Sequence, residues 1–252
     1  MNPAPGLETY RRPEVVSKYD RASELHHSET LLFDEYIKPG SEVLDLGVGA
    51  GRTTPHLARV ASRYVGVDYS DAMIARCREK FPDETFLNLD ASDLSTLPSA
   101  SFDVVVFSFN GIDVIPTLDR RRRCLLECAR VLRSGGTFIY SVHNARYLIF
   151  SPVVDGVGRA RAALRIAYAT VHSFANLASR LPSSGFWRGH GYVFDPMVDG
   201  GLTTYVATPE HVRREASTAG FEVVRCVSGR FPDPIGSVRI PWYYYACVRR
   251  SA

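Results

Sequence analysis

The segment Asp45-Leu46-Gly47-Val48-Gly49-Ala50-Gly51 holds the residue pattern most able to do chemistry. Glycines at alternate positions let a backbone turn tightly and approach a ligand with no Cβ in the way. The apolar run Val43 to Leu46 enters this turn as a strand and a helical pattern leaves it, so a nucleotide-like ligand is expected at the strand's C-terminal end. Asp68 closes the next apolar run, about twenty residues further on, where a carboxylate can accept hydrogen bonds from ribose hydroxyls. Two features argue against a dinucleotide. The spacing is Gly-x-Gly-x-Gly rather than Gly-x-Gly-x-x-Gly, and Asp45 puts a negative charge just before the glycines, which suits an ammonium group better than a phosphate.

These groups need elements to position them. Val43 to Leu46, Tyr64 to Val67, Thr85 to Leu89 and Asp103 to Phe107 read as strands, and Thr53 to Ser62, Asp71 to Phe81 and Asp119 to Leu132 as helices. The alternation predicts parallel βαβ units. Gly135-Gly136 stops the third helix, and Thr137 to Val142 is the fifth strand. A helix capped by Thr208, with Pro209 at its first position, ends at Gly220, and the strands Phe221 to Val227 and Trp242 to Val248 follow. Between Asn144 and Ala207 the alternation fails. There Leu164, Ala167, Val171, Phe174, Ala178 and Leu181 recur at helical spacing, a stripe expected to cover the core, and Asp199-Gly200-Gly201 reads as a hairpin turn. Residues 144–207 are therefore expected to be an inserted lid over an acceptor pocket, within a single domain spanning 1–252.

The glycine segment resembles motif I of the class I S-adenosylmethionine (SAM) methyltransferases. The resemblance continues through Val65-Gly66-Val67-Asp68-Tyr69-Ser70-Asp71-Ala72-Met73-Ile74, Asn88-Leu89-Asp90-Ala91-Ser92-Asp93-Leu94, Ser101-Phe102-Asp103-Val104-Val105-Val106 and Ala129-Arg130-Val131-Leu132-Arg133-Ser134-Gly135-Gly136. It implies a Rossmann-like α/β fold, with a mostly parallel seven-stranded sheet, helices on both faces and the lid inserted after strand five. It also implies SAM as cofactor. Gly47, Gly49 and Gly51 would line its amino-acid moiety, with Asp45 facing the ammonium directly or through water and Asp68 holding the ribose. Tyr69 and Met73 would flank the adenine, Asp90 would accept from its amine, and the Ala91 backbone would meet a ring nitrogen. Phe107 and Ser108 would border the sulfonium, and Tyr19 would lie over the SAM carboxylate.

SAM brings an activated methyl group, so the protein must chiefly align a nucleophile and exclude water. A hydroxyl or protonated amine must also lose a proton, for which a histidine is suited. His143, just after the fifth strand, is the first candidate base. Asn110 and Asp113, leaving the fourth strand, could orient the acceptor, and His190 and Tyr205 in the insertion could contact it. The resulting expectation is methyl transfer to N or O of a small organic acceptor. An RNA or protein methyltransferase and a SAM-binding regulator without transfer activity are the alternatives. The loop after the fourth strand, Phe109-Asn110-Gly111-Ile112, lacks the Asn/Asp-Pro-Pro-aromatic sequence of base-modifying adenine methyltransferases.

Thirty Lys+Arg against 27 Asp+Glu leave a net charge of +3, too mild to argue for a nucleic-acid partner. The run Arg120 to Arg123 reads as a solvated helix face. Cys77, Cys124, Cys128, Cys226 and Cys247 include no Cys-x-x-Cys pair, and the histidines show no ligand spacing, so reduced thiols and no metal are expected. Met1 to Arg12 has no apolar core of the secretory kind, and the most hydrophobic helical stretch is interrupted by arginines. A cytoplasmic location without a membrane partner is expected, and a second copy of the chain is the macromolecular partner left open.

Overall fold

The computed structural model describes residues 6–148, 158–182, 184–195, 201–233 and 235–251. The N-terminal part holds α1 (Leu7–Arg11), α2 (Pro13–Asp20) and α3 (His27–Tyr36). The expected alternation follows as β1 (Glu42–Leu46), α4 (Thr54–Val60), β2 (Arg63–Asp68), α5 (Asp71–Lys80), β3 (Thr85–Asn88), β4 (Phe102–Phe107), α6 (Leu118–Val131) and β5 (Leu132–Asn144). The insertion forms α7 (Arg159–Arg180), α8 (Ser184–Arg188), β6 (His190–Asp195) and β7 (Leu202–Ala207), and the chain closes with α9 (Pro209–Thr218), β8 (Phe221–Ser228) and β9 (Trp242–Arg249).

Strands β3, β2, β1, β4 and β5 lie side by side and parallel, β9 pairs antiparallel with β5, and β8 antiparallel with β9. These are the seven strands expected, and the β6–β7 hairpin of the insertion extends the sheet to nine. Its strands are apolar on both faces because helices cover both. Leu44, Val65, Val105 and Phe138 pack with Cys124, Leu125 and Cys128 of α6 and Val212 of α9, while Val43, Tyr64, Val104 and Ile139 pack with Leu32 and Phe33 of α3 and Leu57 of α4. Strand order reverses between β1 and β4, and the crevice beyond the C-terminal ends there is where open α/β sheets bind ligands.

The β6–β7 hairpin is present, paired from His190↔Ala207 to Asp195↔Leu202. Its turn residues Asp199 and Gly200 lie outside the described residues. The hairpin reaches the sheet through His143↔Val206 and Asn144↔Ala207, parallel to β5. Strand β4 leaves that edge of β5 after Phe107↔Tyr140, and β9 occupies the other edge as far as His143, so the hairpin takes the edge that β4 vacates.

The stripe of α7 departs from expectation. Leu164, Ala167, Val171, Phe174 and Ala178 are exposed, and Ala169, Asn176 and Arg180 face inward instead. Arg180 decides this orientation, since its guanidinium donates to the Asn144 carbonyl at 3.1 Å and pairs with Asp195 at 3.4 Å. The arginine run also differs. Arg122 and Arg123 are exposed, but Arg121 is wholly buried and Arg120 is ion-paired with Asp90.

Candidate active site

A cavity of about 310 Å³ opens at the strand-order reversal, walled by the C-terminal ends of β1 to β5 and roofed by the N-terminal helices. Gly47 and Gly49, which follow β1, have φ of +60° and +55°. A Cβ on Gly47 would come within 2.5 Å of the Phe107 ring, and one on Gly49 would touch Tyr19 at 3.4 Å. The loop is tied to the next strand by Asp68, whose Oδ2 accepts the Gly49 N–H at 2.9 Å while Oδ1 accepts the Ser70 N–H at 2.9 Å. The Tyr69 N–H also turns to this carboxylate. Burial pushes the Asp68 carboxyl up to about 6, against the pull of these backbone donors.

Further along the wall lie Val67, Tyr69, Met73, Leu89, Asp90 and Ala91. Asp90 Oδ1 accepts from the Ser92 N–H at 2.8 Å and the Ser92 hydroxyl at 2.6 Å, and Oδ2 is held by Arg120, itself a wall residue. Gly6, Tyr10, Lys18 and Tyr19 form the roof, where Tyr10 meets Tyr19 and Tyr69 edge-on at 5.9 and 6.0 Å. Arg11 pinned to Asp71 at 2.7 Å and Asp20 to Arg76 at 2.8 Å fasten this roof onto α5.

At the opposite end the wall is Phe107 to Gly111, Val114 to Pro116, His143 and Trp242. Phe109 and Asn110 both have left-handed backbones, φ +52° and +61°, a conformation that asparagine visits readily but an aromatic residue holds only when its surroundings enforce it. The Asn110 N–H donates to the Ser141 hydroxyl at 2.7 Å, the Ser108 hydroxyl is bound by Glu29, and Arg52 both grips Glu29 at 2.6 Å and lies over the Phe109 ring at 5.0 Å. Behind this wall runs a buried chain of charge. Asp113 Oδ2 accepts the His143 backbone N–H at 2.7 Å and meets Nδ1 at 2.9 Å, and its Oδ1 accepts from Arg121 at 3.0 Å. Arg121 is held in turn by Glu215 at 2.8 Å and stacks 4.0 Å over the Tyr205 ring. The network assigns the ring proton of His143 to Nδ1, leaving Nε2 as an acceptor with the Asn110 amide nitrogen 3.4 Å away.

Residues 44–140, which carry β2 to β4, most of β1 and β5 and most of this wall, match the methyltransferase domain family model. Over these residues the chain carries a methyltransferase domain, in the fold that SAM-dependent methyltransferases share. It is 38% identical over 116 residues to a probable S-adenosylmethionine-dependent methyltransferase of Mycolicibacterium smegmatis, a match covering 46% of this chain and 42% of that protein. The chain thus spans about four-tenths of the length of such curated relatives. Two solved structures share the fold at low identity. The CcbJ methyltransferase from Streptomyces caelestis has a TM-score of 0.65 at 18% identity, covering 96% of this chain and 98% of its own. A Burkholderia thailandensis 1,6-didemethyltoxoflavin-N1-methyltransferase, holding 1,6-didemethyltoxoflavin and S-adenosylhomocysteine, has a TM-score of 0.60 at 16% identity, covering 97% and 85%.

For a methyltransferase domain the wall is suited to SAM. A carboxylate at Asp68, a side-chain-free loop at Gly47 and Gly49, and the apolar Met73 beside Tyr69 are groups of the kinds that the ribose, amino-acid and adenine parts of the cofactor would need. The cavity gathers Tyr19, Gly47, Gly49, Asp68, Tyr69, Met73, Asp90, Ala91, Phe107, Ser108, Asn110 and His143 from the residues singled out in the sequence. It leaves out five others. Asp45 is buried behind the wall, and its Oδ2 accepts from the Thr53 hydroxyl at 2.5 Å and the Tyr64 hydroxyl at 2.8 Å. Gly51 is glycine because a Cβ there would lie 2.4 Å from the Phe81 ring. Asp113 is wholly buried and holds His143 rather than an acceptor. His190 stacks on His211 at 3.7 Å, and Tyr205 is buried beneath Arg121.

No described residue of the insertion is on the wall. The hairpin instead braces the acceptor-end loop from behind, through the Tyr192 hydroxyl donating to the Ile115 carbonyl at 2.8 Å. Sequence reading missed Gly6, Tyr10, Lys18, Arg120 and Trp242 on the wall, and the Glu29, Arg52 and Glu215 supports. Among the described residues no group of acids, histidines or cysteines could hold a metal, and Cys77, Cys124, Cys128, Cys226 and Cys247 are free thiols.

Proposed function

We propose that this chain transfers a methyl group from SAM to an oxygen or nitrogen of a small organic acceptor, with His143 taking the proton that the acceptor must lose. The observation that carries this reading is the position of His143, on the cavity wall with its Nδ1 fixed by a buried carboxylate. When bound, SAM supplies a methyl group on a sulfonium, already activated for in-line displacement. Asp68 would receive the ribose hydroxyls, and the loop at Gly47 and Gly49 would take the amino-acid end. The roof of Tyr10, Lys18 and Tyr19 would close the cofactor from water. At the far end Asp113 holds the imidazole in the tautomer whose Nε2 can accept a proton, and Glu215 with Arg121 holds Asp113 in place.

The acceptor end supports a neutral, largely apolar acceptor. Phe109, Val114, Ile115, Pro116 and Trp242 line it, and the acids on the cavity wall, Asp68 and Asp90, lie at the cofactor end. A walled cavity of this kind suits a small molecule. The neighbour that binds 1,6-didemethyltoxoflavin and S-adenosylhomocysteine supports a small-molecule acceptor. Incubation with methyl-labelled SAM and a panel of phenols, hydroxylated heterocycles and amines tests the proposal. Label passing to one of them, and lost in His143→Ala, is the expected result. Label passing to RNA or protein, or to nothing while SAM still binds, would replace it with one of the alternatives.

A further inference from the structure

Helix α7 shows water the face that a helix of a soluble protein normally buries. Leu164, Val171 and Phe174 are 72%, 68% and 67% exposed and share one stripe at three- and four-residue spacing. The opposite, inward face is small or polar, comprising Ala169, Asn176 and Arg180. Just beyond the helix, Trp187 is 74% exposed, its ring nitrogen donating to the Leu181 carbonyl at 2.8 Å. A contiguous exposed apolar stripe marks an interaction surface.

Charge selects the occupant. Between Asp155 and Asp195 the sequence has no acidic residue, yet it has Arg159, Arg161, Arg165, Arg180 and Arg188. All of these arginines except Arg180 are exposed. A second copy docking through the same face would set Arg159, Arg161 and Arg188 against the same arginines of its partner. An anionic phospholipid surface offers both an apolar phase for the stripe and phosphates for the arginines, and an exposed tryptophan suits the boundary between the two. We propose that α7 and Trp187 dock this protein in the plane of an anionic phospholipid bilayer. The 22-residue helix is about 33 Å long and lies on the surface. Among the described residues no helix is long and apolar enough to cross a membrane. Docking of this kind stands apart from methyl transfer and is read without SAM or acceptor.

Co-sedimentation of the full chain with vesicles tests it, comparing phosphatidylcholine containing phosphatidylglycerol with phosphatidylcholine alone. Each arginine near an anionic surface adds about fivefold, so partition onto the anionic vesicles is expected to exceed the neutral ones by at least about tenfold and to fall with salt. Val171→Asp combined with Phe174→Asp, at exposed positions where the fold does not need the native side chains, is expected to lower partition about tenfold or more with an unchanged circular dichroism spectrum. Should that pair disturb the helix, Arg159→Glu with Arg161→Glu tests the charge at its first turn, with loss of anionic preference expected. Equal partition of the wild type onto both vesicle types would overturn the proposal, as would well-folded variants of either kind that sediment like the wild type. A wild-type dimer split by the Asp pair would overturn it in favour of a second copy.

Discussion

Asp113→Asn probes the support of the candidate base without touching the cavity wall. The wholly buried carboxylate meets donors on both sides, Arg121 at 3.0 Å on Oδ1 and the His143 backbone and ring nitrogens at 2.7 and 2.9 Å on Oδ2. An amide in its place turns one acceptor into a donor. If the amide nitrogen faces His143, it opposes the backbone N–H and forces Nδ1 to accept, which moves the ring proton to Nε2. If it faces Arg121, two buried donors oppose each other there. Breaking one side of a buried ion pair costs about 3–5 kcal/mol, and the Glu215 contact to Arg121 keeps the cost near the lower end, about 3 kcal/mol. For a chain of this size that lowers Tm by about 6–12 °C. Turnover is expected to fall about 10²–10⁴-fold, the contribution of a positioned base. SAM affinity should stay within about twofold, because Asp113 is off the wall. Nitrogen-15 NMR of the histidine side chains reads the tautomer directly, calorimetry reads SAM, and labelled SAM with an acceptor reads turnover. A folded variant with the wild-type tautomer and undiminished turnover would refute the reasoning.

Asp68→Ala should weaken SAM binding by about 1.5–3 kcal/mol per charge-assisted hydrogen bond lost, tenfold or more by calorimetry, whereas Asp45→Asn should leave it within about threefold, because Asp45 answers to Thr53 and Tyr64. Burial raises both Asp45 and Asp68 to about 6, so between about pH 4 and 6 the unfolded chain loses these protons while the native one keeps them. Denaturant titrations should therefore find stability contributed by these two groups below pH 4 and lost as pH rises through 6. The affinity for SAM should run the other way, declining about tenfold per unit as pH drops below 6 and the Asp68 acceptor is protonated. Gly49→Val puts a branched side chain against Tyr19 at a φ of +55°, and a variant that keeps its circular dichroism spectrum should have lost SAM binding.

The sheet was legible because its signals are local. The central strands β1, β2 and β4 are short apolar runs buried on both faces, and Thr208 caps α9 through the His211 N–H as its sequence position predicts. The cofactor wall was legible for a related reason, since topology alone brings the residues that follow β1 to β4 to one edge. What was not legible depends on side-chain direction or on long-range partners. Asp45 and Asp68 both close a strand ahead of a turn, and nothing local says that one faces Tyr64 and the other the cavity. Arg121 looks like its neighbours Arg122 and Arg123 until Glu215, 94 residues away, takes its guanidinium. The stripe of α7 was visible, but periodicity gives the width of an apolar face and not what covers it. Arg180, anchored to Asn144 and Asp195, turns that stripe outward.

A structure determined with S-adenosylhomocysteine bound tests the central claim most directly. The account predicts the ribose hydroxyls on the Asp68 carboxylate, the amino-acid end against Gly47 and Gly49, the adenine between Tyr69 and Met73, and the sulfur at the Phe107–Asn110 end, on the same side as His143. A ribose away from Asp68, or a sulfur pointing to the Asp90 end of the cavity, would contradict it.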